Sequence, residues 1–107
     1  MTEIILRPRG GGKTTEMIRR SAEDGGYIVC TDHRRACQVA KQAEQLGLSI
    51  PFPLTAGEWH DRGYRAPGVR ALLFDDLDRI IQAMSGVPVV AATWTQDEEQ
   101  HSERVGT

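Results

Sequence analysis

The sequence predicts an α/β fold in which about four mostly parallel strands are flanked by helices. Three observations carry that prediction. Short apolar runs at 3–6, 27–32, 69–76 and 87–94 alternate with stretches whose apolar residues recur at helical spacing. The runs are continuous and do not alternate with polar residues, as in strands covered on both faces. The chain has 107 residues, 39% of them apolar, enough for one core of a sheet and a few helices. A single domain over 1–95 follows, with 96–107 as a polar tail expected to be disordered.

The elements are justified in turn. "EIIL" (3–6) stops at Pro8 and a triple glycine, as a buried strand feeding a loop would. From 13 to 23 a helix is predicted with Met17, Ile18 and Ala22 inward, ended by Gly25 and Gly26. "YIVCTD" (27–32) reads as the second strand. A helix over 33–46 follows, with the stripe Ala36, Val39, Ala40, Ala43 and Leu46, and Gly47 at its C-terminal cap. Residues 49–68 contain three prolines and three glycines and read mostly as connection, although "TAGE" (55–58) has the capping-box pattern that starts a short helix. "VRALLFDD" (69–76) is a buried strand ending in two acids. "LDRIIQAM" (77–84) places Leu77, Ile80, Ile81 and Met84 on one helical face, and "VPVVAATW" (87–94) is predicted as the last strand.

Two of these stretches carry chemistry. "RPRGGGKT" (7–14) matches the phosphate-loop pattern G-x-x-x-x-G-K-[ST] at Gly12, Lys13 and Thr14, with Arg7 in place of the first glycine. Backbone N–H groups at a helix N-terminus can wrap phosphate oxygens there, provided that side chains do not obstruct the approach. Arg9, Gly10, Gly11, Gly12, Lys13, Thr14 and Thr15 are the candidate nucleotide-binding residues. Lys13 supplies positive charge toward the β- and γ-phosphates, and the Thr14 hydroxyl is a candidate Mg²⁺ ligand. "ALLFDD" (71–76) is a hydrophobic strand ending in carboxylates, the pattern called Walker B. Asp75 is the candidate to hold Mg²⁺ through water, and Asp76 to orient or deprotonate an attacking water. Lys13 and Asp76 are thus the candidate catalytic pair, with ATP and Mg²⁺ as the cofactors.

On these two motifs the chain resembles a minimal P-loop NTPase core, in the class where a catalytic acid follows the Walker B aspartate. That class usually carries Asp-Glu where this sequence has Asp75-Asp76, and the shorter second acid makes slow turnover the expectation. The resemblance implies that the 69–76 strand lies beside the second strand, with the last strand between it and the first. Similarity extends to the first domain of helicase-like and phage packaging ATPases. Thr31, Arg35 and Gln38 stand where such proteins have a nucleic-acid-facing segment, and Thr93 stands where they have a γ-phosphate sensor. The resemblance implies a small free-standing phage version acting in a bacterial host cytoplasm.

Net charge is -2, with the tail from Gln96 contributing -3 and the remainder near +1, so no basic stripe marks a nucleic-acid surface. No apolar run reaches membrane-spanning length and the N-terminus lacks a signal-peptide pattern, giving a cytoplasmic expectation with no membrane partner. Cys30 and Cys37 read as plain thiols, and His33, His60 and His101 do not cluster as metal ligands. A motor would need a second domain or subunit to supply an arginine, for which Arg62, Arg65 or Arg70 could serve in a homo-oligomer. Trp59, Tyr64 and Trp94 could stack on a base or pack in the core. The function expected is nucleoside triphosphate binding, with weak or partner-stimulated ATPase activity linked to nucleic-acid processing and a DNA or protein partner. The alternative is a degenerate P-loop protein without turnover that docks on a host or replication protein. A small nucleotide kinase fits less well, since 49–68 offers little room for a lid and an acceptor pocket.

Overall fold

The apolar runs meet different ends in the computed structural model, which describes residues 4–6, 12–62, 69–95 and 104–105. The order is β1 (Ile5–Leu6), α1 (Lys13–Asp24), β2 (Tyr27–Cys30), α2 (His33–Gln45), β3 (Leu54–Thr55), α3 (Ala56–Arg62), β4 (Leu72–Phe74), α4 (Leu77–Ser85) and β5 (Arg104–Val105). The architecture is α/β, with a three-stranded parallel sheet in the order β3-β2-β4. In register, Val29 faces Leu54 on one side and Phe74 on the other.

Alternation along β2 divides the core between the two faces of this sheet. Ile28 and Cys30 point to one face, where they pack with Ile18 of α1 and Ala36, Val39 and Ala43 of α2. Val29 points to the other and meets Leu54, Ala56 and Ile80, with Trp59, Leu72 and Phe74 packed against them. Helices thus cover both faces, which is why β2 carries apolar residues at every position and not at every second one. Trp59 meets the Phe74 ring edge-on at 5.0 Å between centroids, so its indole serves the core.

Local chemistry sets the helix ends. Gly25 caps α1 in the left-handed region (φ 73), its N–H donating to Ser21 O, while the Ser21 hydroxyl reaches past it to Gly26 O at 2.6 Å. At Gly26 a Cβ would stand 2.5 Å from Leu73 Cδ1 and 3.3 Å from Ala71 O, so a side chain there would make Leu73 rotate and crowd the chain entering β4. The Asp32 carboxylate caps α2 by accepting from Arg35 N–H at 2.8 Å. The capping box forms as the sequence predicts. Thr55 Oγ1 accepts from Glu58 N–H at 3.0 Å, and Glu58 Oε1 accepts from Thr55 N–H at 2.9 Å.

Three expectations are corrected. Residues 87–94 form no strand: Val87, Val89, Val90 and Trp94 are exposed, Val90 to 93%. The Gln82 carboxamide takes the part of a neighbouring peptide, donating to Val87 O at 2.7 Å and accepting from Val89 N–H at 2.8 Å. That segment is therefore held to the end of α4 and not to a ladder, and Ile81 and Met84, predicted to face inward, stay exposed. The first strand does not join the three-stranded sheet. It pairs instead with β5, in parallel, Ile5 opposite Arg104 and Leu6 opposite Val105. Finally, the 49–68 connection contributes β3, a two-residue edge strand beside the buried Pro53, at a position where a missing N–H is tolerated. Among the described residues, no helix is long and apolar enough to cross a membrane.

Candidate functional site

Parallel strands deliver their C-terminal ends to one edge of the sheet, where loops from β2 and β4 meet the start of α1. At that edge lies a cleft of about 890 Å³, lined by Gly12, Lys13, Thr14 and Thr15 of α1, Thr31, Arg35 and Gln42 from β2 and α2, and Asp75, Asp76, Asp78 and Arg79 after β4. The position is the one at which open α/β sheets bind ligands.

Asp75 is placed by the sheet. Its backbone N–H donates to Val29 O at 3.0 Å, prolonging the β2–β4 ladder by one bond, and its side chain is buried. Burial pushes its carboxyl above the usual range; the Arg35 guanidinium opposes this, Asp76 adds to it and Lys13 opposes it further. The same burial, with the Asp75 charge nearby, pushes the Cys30 thiol up to about 12.

Asp76 is placed by strain. It is the one described non-glycine residue in the left-handed region (φ 57), a conformation that aspartate tolerates better than most. Its carbonyl accepts from Arg79 N–H and Ile80 N–H to open α4, but its carboxylate makes no capping bond. Instead Asp76 Oδ1 meets Lys13 Nζ at 2.6 Å.

The first turn of α1 supplies the facing groups. Gly12, at φ 80, lets the chain enter the helix, and its carbonyl accepts the first helical bond from Glu16 N–H. The Thr14 hydroxyl donates to Asp75 Oδ1 at a long 3.5 Å and accepts from Arg35 Nη2 at 2.7 Å. Arg35 also reaches Asp75 Oδ2, from Nη2 at 3.2 Å and from Nε at 3.3 Å. Further along α2, Gln42 Nε2 donates to Thr15 Oγ1 at 3.0 Å. Among the described residues no buried side-chain nitrogen or oxygen lacks a hydrogen-bond partner.

Lys13, Thr14, Asp75 and Asp76 are thus together, and Gly12 and Thr15 line the same cleft. Arg9, Gly10 and Gly11 lie outside the described residues. Thr93 is not among the residues lining the cleft and is exposed, in the 87–95 segment. Of the possible stacking residues, Trp94 is exposed and Tyr64 lies outside the described residues; so does Arg65, whereas Arg70 is exposed. Cys37 Sγ lies 3.4 Å from His33 Nε2, one turn apart on the exposed side of α2, and neither lines the cleft.

Sequence reasoning missed Arg35 and Gln42 as partners of the α1 turn. For the contact of Arg35 with Asp75 the available signal was topological, because residues following the adjacent parallel strands β2 and β4 emerge side by side; the Gln42–Thr15 contact between α2 and α1 carries no such signal. Comparison with protein-family models, curated proteins and solved structures found no match.

Proposed function

We propose that the cleft binds a magnesium nucleoside triphosphate, ATP or a close relative, and that turnover is slow or needs a partner. One observation carries the reading. Two short motifs 61 residues apart in sequence converge so that Lys13 touches Asp76 and the Thr14 hydroxyl faces Asp75. Support also comes from the strand order, since β4 lies beside β2 as the Walker B strand does in the P-loop class with a following catalytic acid.

Each residue has a task. The N-terminus of α1 offers backbone N–H groups and a favourable dipole to an anion. Lys13 exchanges Asp76 for a phosphate oxygen. Asp76, once released, is free to orient or deprotonate a water near the phosphate. Thr14 Oγ1 and Asp75 Oδ1 are hard oxygen donors 3.5 Å apart. A cation ligated by the Thr14 hydroxyl would therefore have the Asp75 carboxylate within reach of one of its bound waters, so these two residues fit the cation. Mg²⁺ bound there would neutralise phosphate charge. Among the described residues, no group of three or more His, Cys, Asp or Glu is placed to hold a metal, so phosphate and water must complete the coordination.

Calorimetric titration of ATP with Mg²⁺ into the wild type and Lys13→Ala tests the reading. Binding should weaken at least about tenfold in the variant, the scale of losing a charge-assisted contact of roughly 1.5–3 kcal/mol. Equal heats would sink it. The exposed apolar side chains of Val87, Val89, Val90 and Trp94 favour the second reading, a nucleotide-binding module without turnover that docks on another protein. Phosphate release measured with and without single-stranded or duplex DNA separates the two, because turnover under any of these conditions excludes the inert module.

A further inference from the structure

The Arg35 guanidinium sits between the two groups that the nucleotide-site reading assigns to the cation. It donates to Thr14 Oγ1 at 2.7 Å and spans Asp75 Oδ2 with Nη2 and Nε, while its Nη1 is steadied by Gln38 Oε1 at 3.3 Å. Asp75 is buried and the Arg35 side chain is about a third exposed, at 32%, so the cation reaches inward from the cleft to a carboxylate that cannot reach solvent.

We infer that Arg35 is a built-in competitor of the divalent cation: its guanidinium holds Thr14 and Asp75 in the resting protein, and cation loading must displace it. The inference rests on the proposed nucleotide site for the identity of the ion. The physical argument is one of shared ligands. A buried carboxylate is costly without a counter-charge, and Arg35 supplies it while the cleft is empty. A dication held by the same two residues would lie within a few ångströms of the guanidinium, and like charges at that range repel. Every buried polar side-chain atom among the described residues is already partnered, so an incoming ion exchanges contacts and fills no gap. Gln38 and the exposed lip of the cleft give the displaced side chain somewhere to go. Arg35 thereby sets how readily the site takes up metal, as a positioning residue acting through Asp75 and Thr14.

The test uses Mn²⁺ as the probe, its free concentration read by electron paramagnetic resonance during titration of the full chain without nucleotide. Arg35→Ala and Arg35→Gln should each bind Mn²⁺ roughly tenfold more tightly than wild type, as removal of a competing charge a few ångströms away predicts. The gain should vanish when Asp75→Asn is added. Arg35→Gln keeps a donor for Thr14, so it provides the reading if Arg35→Ala does not fold. Equal Mn²⁺ affinities in wild type and both variants, undetectable binding by all three included, would overturn the inference and leave Arg35 as a clamp between α1 and α2. So would a gain that survives Asp75→Asn. ATP titrated in EDTA into wild type and Lys13→Ala keeps the two readings apart. Lys13-dependent ATP binding with no Mn²⁺ effect removes only the role of Arg35. A Mn²⁺ effect without ATP binding removes the nucleotide and leaves the competition at Asp75 standing.

Discussion

The segments "YIVC" (27–30) and "VPVV" (87–90) are both short apolar runs, and they meet opposite fates. In the first, Ile28, Val29 and Cys30 are fully buried between two helical layers. In the second, Val87, Val89 and Val90 face solvent, and the segment is held by the side chains of Gln82 and Ser85 at the end of α4. What separates them is the partner. Residues 27–30 have β3 on one edge and β4 on the other, whereas 87–94 have no strand alongside among the described residues. Apolar, β-branched composition marks a segment as fit for a sheet, and pairing decides whether it enters one.

Three experiments sharpen or break this contrast, the largest effect first. Cys30, whose thiol is pushed up to about 12, should react with a thiol reagent at pH 8 more than roughly a thousandfold more slowly than an ordinary cysteine, because so little thiolate is present. Exposed Cys37 should label readily, and urea should bring Cys30 into line; mass spectrometry after timed quenching reads both. Comparable labelling of the two in the native protein would mean that β2 is not closed in. Ile28→Ala removes a side chain with no solvent exposure and should cost about 2–5 kcal/mol in urea unfolding, against within about 0.5 kcal/mol for Val90→Ala. Similar costs for the two would show that 87–94 is buried in solution. Thr55→Ala breaks the capping box beside β3 and should cost about 1 kcal/mol by the same measurement, with a smaller loss of helix by circular dichroism. No loss would show that β3 holds α3 without the cap.

Much of the fold was legible because its causes are local. Helices α1, α2 and α4 begin and end within a residue or two of the expected positions, since glycines and caps adjoin the apolar stripes they bound. The capping box at Thr55 and Glu58 could be read for the same reason. β3 could not, being two residues beside Pro53 with no pattern of their own until β2 is next to them. The site divides similarly. Lys13, Thr14, Asp75 and Asp76 announce themselves through motif spacing, and the structure brings them together. Arg35 was singled out only as part of a nucleic-acid-facing segment; its contact with Asp75 depends on β2 and β4 being neighbours, which no short stretch of sequence states. Thr93 was assigned through a strand that the described chain does not form, and the assignment went with it.

Asp75 and Asp76 are chemically the same residue, so what distinguishes them is where the chain stops sliding. The 3.0 Å bond from Asp75 N–H to Val29 O is the last rung of the β2–β4 ladder, and Phe74, one residue earlier, is keyed edge-on against Trp59 beneath the opposite face. A slip of one position would turn every side chain of β4 over, lifting Phe74 out of its aromatic seat and presenting Asp76 to Arg35 in place of Asp75. The indole of Trp59, on the far side of the sheet from the first turn of α1, is thus one of the contacts that fix which carboxylate is buried and which is left to meet a lysine.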